Sequence, residues 1–80
     1  MLKQISDELV AELRFLSLFN LASHQEGIKV HGNADPSMIA AAHRLFEKGM
    51  TTQNDGGYLT DFGVEVAELT QKLLTILEPR

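Results

Sequence analysis

The run TTQNDGGYLT, residues 51–60, reads as a β-hairpin that leads straight into a helix start. Asp-Gly is a preferred central pair for a two-residue type I′ turn, because both positions need positive φ. With Asp55-Gly56 at the turn, Asn54 faces Gly57, Gln53 faces Tyr58 and Thr52 faces Leu59. Asn54 and Gly57 offer further turn registers, so the pairing is open by one residue. A lone hairpin is marginal in water, so this one needs a third strand beside it. GIKVH, residues 27–31, supplies one, its apolar Ile28 and Val30 alternating with Lys29 and His31.

Three helical patterns surround these strands. The first opens at Ser6, an N-cap residue followed by Asp7 and Glu8, whose carboxylates suit the positive helix end. Leu2 precedes it, and Ile5, Leu9, Leu13 and Leu16 then recur at spacings of three and four. On the other side Ala11, Phe15, Leu18, Phe19 and Ala22 form a second apolar strip. A helix apolar on two sides needs cover on two sides; the expected outer cover is a second copy of the chain, the alternative being a first helix wrapped centrally by the rest of one chain. The second helix starts at Asp35-Pro36, a carboxylate N-cap with proline at N1, and stops at Gly49. Met38, Ile39, Ala42, Leu45 and Phe46 are assigned to its inner side. Ser37, Ala40, Ala41, Arg44, Glu47 and Lys48 are assigned to its outer side. The third helix is capped by Thr60, with Phe62, Val66, Leu69, Leu73, Ile76 and Leu77 along one face, widened by Ala67 and Leu74. Pro79 and Arg80 read as a frayed end.

The resulting order is helix, strand, helix, hairpin, helix, in one α+β domain spanning residues 1–80. RLFEKGMTTQNDGGYLTDFG, residues 44–63, resembles the second half of a winged-helix domain. Lys48-Gly49 ends the helix, Asp55-Gly56-Gly57 forms the wing tip, and Leu59-Thr60 with Gly63 opens the last helix. The chain also resembles a family of small, largely uncharacterised gammaproteobacterial proteins carrying QEGIKVH, ADP, AAA.RL..KG and GGYLTD.G over about residues 9–70. The winged-helix resemblance, over residues 36–78, implies a small antiparallel sheet and a helix that reads nucleic acid. One part departs from that pattern. Between Gly27 and Pro36 there is room for only a strand and a turn, so the positioning helix of a helix-turn-helix is absent or reduced to one turn.

Charge limits what such a helix can bind. Seven Lys and Arg stand against eleven Asp and Glu, for a formal net charge of -4. Phosphate neutralisation supplies much of the affinity for nucleic acid, so a reader has to gather its bases on one surface. Both ends of the chain carry the excess acid, and residues 27–60 balance. Candidate DNA contacts there are Lys29, Ser37, Arg44, Lys48 and Gln53, with Ala40 and Ala41 placed to meet thymine methyls. The wing argues the other way. From Thr51 to Asp61 it holds no Lys or Arg, and its tip carries Asp55.

No pattern of catalysis is present, and an enzyme is not expected. There are no cysteines, and His24, His31 and His43 fit no zinc-binding spacing; a site would need His24 and His31 to converge with Glu26 or Asp35. The glycines form no phosphate loop; turns account for them, and close packing for Gly63. Ser17 and Ser23 lack a nucleophile context. Glu8 and Glu12 read as a solvated edge, Tyr58 as a cross-strand packing residue and Phe62 as a core or staple contact. No cofactor is expected. The acidic first helix is unsuited to an anionic membrane, and the start of the chain has no signal-peptide pattern, so a cytoplasmic setting is expected. The leading expectation is a dimeric DNA-binding regulator joined through Ala11, Phe15, Leu18, Phe19 and Ala22, either alone or together with the end of the third helix. The alternative is a protein-interaction module of the same shape without DNA.

Overall fold

A computed structural model describes residues 4–23 and 26–79. Leu2, His24 and Arg80, which entered the reading of the sequence, lie outside them. The elements are α1 (Asp7–Leu16), β1 (Ile28–Lys29), α2 (Pro36–Glu47), β2 (Thr51–Gln53), β3 (Gly56–Leu59) and α3 (Asp61–Leu77). The three strands form one antiparallel sheet in the order β1-β3-β2. The architecture is the expected α+β, winged-helix-like succession of helix, strand, helix, hairpin and helix. Between β1 and α2 the chain makes a turn at Gly32-Asn33, with Ala34 N donating to His31 O at 3.0 Å, and forms no helix.

The three N-caps are the residues expected. Ser6 accepts from Leu9 N at 3.1 Å, Asp35 from Ser37 N at 2.9 Å and Thr60 from Gly63 N at 3.0 Å. The core gathers Phe15, Leu16, Phe19, Ala42, Leu45 and Ala67, with Ile28, Val30, Met50 and Leu59 packed around it. Phe15 is fully buried and its ring tilts against Phe19, centroids 5.7 Å apart.

The hairpin forms with its turn one residue earlier than Asp55-Gly56. Gln53 pairs with Gly56 and Thr51 with Leu59, leaving Asn54-Asp55 as the turn and an irregularity in the ladder. A type I′ turn needs positive φ at both central residues, and no residue other than glycine has positive φ among those described. Gly56 (φ 119°) and Gly57 (φ 78°) take those angles instead, just after the turn. At the irregularity Thr52 Oγ1 accepts from Tyr58 N at 3.0 Å. Gly56 is needed for a second reason, since a Cβ there would lie 2.3 Å from Ile28 O across the sheet. Gly63 is confined in the same way: a Cβ would come within 1.9 Å of Met50 O. Close packing is therefore the reason for that glycine.

The first helix is shorter than its apolar pattern. It stops at Leu16, and Leu18 to Ala22 lie in the following loop, where Asn20 accepts from Ala22 N at 3.0 Å and donates to Glu26 at 2.7 Å. The reason is tertiary. Gln71 on α3 donates its side-chain amide to Leu16 O at 3.2 Å and Phe19 O at 2.8 Å, taking up carbonyls that a further helical turn would otherwise satisfy. Phe19 is thereby turned into the core.

Candidate functional site

Helix α2 is the element in the position of a reading helix, and its polar side chains are already engaged within the chain. Arg44 donates from Nε to Glu12 Oε2 at 3.1 Å and from Nη2 to the backbone oxygen of Glu8 at 3.1 Å. Its Nη1 stands 3.3 Å from Glu8 Oε2. Lys48 Nζ donates to Glu12 Oε1. The carboxylate that receives both cations is 6% exposed. Burial pushes the Glu12 carboxyl up, but the hydrogen bonds and charges of Lys48 and Arg44 outweigh it and hold the group below its ordinary value. Two (i, i+4) pairs of opposite sign, Glu8/Glu12 on α1 and Arg44/Lys48 on α2, thus close across the helix interface. The reading of Glu8 and Glu12 as a solvated edge is corrected for Glu12.

The other candidate contacts are scattered. Ser37 donates from both its backbone N and its Oγ to Asp35 Oδ1, at 2.9 and 3.0 Å, as part of the helix cap. These bonds hold the Asp35 carboxyl below its ordinary value. Ala41 is fully buried and reaches no surface ligand. Its expected place on the outer side is corrected by the rotation of the helix: Ala41, Ala42 and Leu45 face inward, while Ile39 and Phe46 are exposed. Lys29 and Gln53 line a different depression, on the sheet beside Gly57 and Tyr58. Tyr58 itself is half-exposed.

What α2 does present is a groove of about 510 Å³ between its N-terminal half and the β2–β3 turn. Val30, Pro36, Ile39, Ala40 and Ala42 give it a largely apolar lining, and His43, Arg44, Asn54 and Asp55 rim it. His43 Nδ1 is hydrogen-bonded to Asn54 Oδ1, which ties the helix to the turn, while its Nε2 stands 3.6 Å from Glu47 Oε1. Val30 N donates to Asp55 O at 2.8 Å and fixes the floor against the same turn. Of the residues expected to touch DNA, Ala40 and Arg44 belong to this groove and the rest do not. Ile39, His43 and Asn54 were missed. The available signal was the spacing of Pro36, Ile39, Ala40 and His43, which share one helical face.

The proposed dimer strip is also redistributed. Ala11, Phe15 and Phe19 are buried inside the protomer and have no surface to offer a partner. Leu18 and Ala22 are exposed, beyond the end of α1. A strip drawn on one continuous helix fails because the helix ends between its members.

Among the described residues no group of three His, Asp or Glu is placed to hold a metal ion. No described helix is long and apolar enough to cross a membrane. No curated protein and no solved structure matches the chain. One sequence family does, over residues 3–78, nearly the full length in which the groove, the ion-paired helices and the hairpin were found. The chain belongs to the Family of unknown function (DUF5669).

Proposed function

We propose that the chain is a non-catalytic protein-interaction module on a winged-helix-like scaffold. Its α2–turn groove takes up apolar side chains from a partner segment. The observation that carries this reading is the pairing of Arg44 and Lys48 with Glu12. A DNA reader needs those cations for phosphates, and here each would first have to leave a buried carboxylate. The turn beside them adds Asp55 and no base. A concave, mostly apolar surface with a few polar groups at its edge is the usual form of a binding site for apolar groups, and helix-in-groove docking uses such surfaces.

Two titrations test the proposal together. A displayed library of short amphipathic peptides is selected on the wild-type chain and counter-selected on Ala40→Glu, which places a carboxylate in the groove. Peptides with apolar anchors should bind the first and not the second. Labelled duplex DNA at low salt should show no association. Salt-sensitive duplex binding that is lost in Arg44→Ala would overturn the proposal in favour of a DNA-binding regulator.

A further inference from the structure

Helix α3 buries Gly63, Ala67 and Thr70 against the rest of the chain. Of the apolar face expected to be inside, Ala67 is buried and Val66 and Leu74 are partly buried, but the remaining members are not. Phe62, Leu69, Leu73, Ile76 and Leu77 are all at least half exposed, Leu69 at 65%. With the partly buried Val66, the series Phe62, Val66, Leu69, Leu73, Ile76 advances by four, three, four and three residues. That alternation is the seam of a two-helix coiled coil. It runs nearly the length of α3, and apart from Val66, which packs against the core, it is left open among the described residues.

The extent of exposed surface gives the scale of what is missing. The chain exposes 6009 Å² at 8.9 kDa. A folded monomer of that mass is expected to expose about 4,800 Å², leaving an excess of roughly 1,200 Å². A stable protein–protein contact buries about 800 Å² on each partner, an area that falls within this excess.

Charge decides what the occupant is. Glu65 and Lys72 flank the seam on one side, two helical turns apart, with Leu69 between them. An antiparallel partner helix that crosses at Leu69 and has the same sequence sets Glu65 beside Lys72 of the second copy, and the two-fold axis repeats the pair. A parallel partner sets Glu65 toward Thr70 and Lys72 toward Leu77, with no ion pair gained. We infer that α3 is the self-association surface, pairing antiparallel with α3 of a second copy about an axis near Leu69. The contact is isologous, as in most two-fold dimers. It shares no residue with the α2–turn groove, so it stands whether or not the groove binds a partner.

The test is oligomeric state by sedimentation, with helicity followed by circular dichroism. Wild-type chain should be dimeric at tens of micromolar. Leu69→Glu should raise the dissociation constant at least tenfold without loss of helicity, since the residue is already exposed. Lys72→Glu should weaken the dimer, and the added exchange Glu65→Lys should restore it. Because the sequence has no cysteine, single substitutions report the direction. Leu69→Cys should cross-link to itself on oxidation. Phe62→Cys should cross-link only when mixed with Ile76→Cys. A monomeric wild type, or a dimer unaffected by Leu69→Glu, would overturn the inference. Self-cross-linking by Phe62→Cys alone would overturn the antiparallel arrangement.

Discussion

The interface between α1 and α2 and the outer face of α3 invert the usual distribution of residues. The first is where charge is hidden: Glu12 lies buried beneath Arg44 and Lys48, closed on both sides by hydrogen bonds. The second is where oil is displayed, with five large apolar side chains facing outward. A buried charge is tolerated only when its partners are complete. Among the described residues no buried side-chain nitrogen or oxygen lacks a hydrogen-bond partner. The ionic seam is therefore finished within one chain, while the apolar seam is left open among the described residues. The comparison teaches that polarity along a helix does not tell which face is covered. The partner available to each face does.

That contrast can be broken at several points. The largest effect is expected from Phe15→Ala, which empties the centre on which both helices rest. It should cost about 4 kcal/mol by urea denaturation, whereas a loss under ~1 kcal/mol would mean the core lies elsewhere. Glu12→Gln should come next, at about 2 kcal/mol at pH 7. This is below the ~3–5 kcal/mol of a fully buried pair, because the Lys48 side chain is half exposed and Arg44 retains Glu8. The same residue sets a pH dependence. Its folded carboxyl sits below the ordinary 4.5, so the unfolded chain takes up a proton first as the solution is acidified. The stabilisation is present above about 4.5 and disappears as pH falls through the lower folded value. A thermal-denaturation series from pH 7 to 3 should show an acid limb that is shallower in Glu12→Gln than in wild type. An identical limb in both would assign it to other carboxylates.

Thr60→Ala should cost about 1 kcal/mol, since the hydroxyl accepts from Gly63 N at 3.0 Å and donates to Gly49 O at 2.6 Å. The smallest effect belongs to the open seam. Leu73→Ser, measured below the concentration of self-association, should change stability by no more than ~0.5 kcal/mol. A larger loss in that regime would place Leu73 within the protomer's own core and dissolve the contrast between the two faces.

Much of the fold was legible because caps and turns are local chemistry. Ser6, Asp35 and Thr60 each declare a helix start within a few residues, and the glycine pair after Asp55 declares a hairpin. The turn slipped by one residue because Asp-Gly-Gly allows two registers. The choice fell to the close approach of Ile28 to Gly56, a contact distant in sequence. The end of α1 was not legible for the same kind of reason: its last carbonyls are taken by Gln71, more than fifty residues away. The groove was partly legible through Ala40 and Arg44. Its use of His43 and Asn54 depends on how the hairpin lies on α2. The capture of Arg44 and Lys48 by Glu12 needed the α1–α2 crossing itself, although matching (i, i+4) ladders of opposite sign were there to be noticed.

The amide of Gln71 has one more effect, on how the chain tolerates changes in length. An inserted or deleted residue between Gly63 and Gln71 would rotate that amide by about 100° and shift it ~1.5 Å along the axis, away from the carbonyls of Leu16 and Phe19. The interval on α3 acts as a ruler for the N-terminal helix, so insertions and deletions should be selected against there.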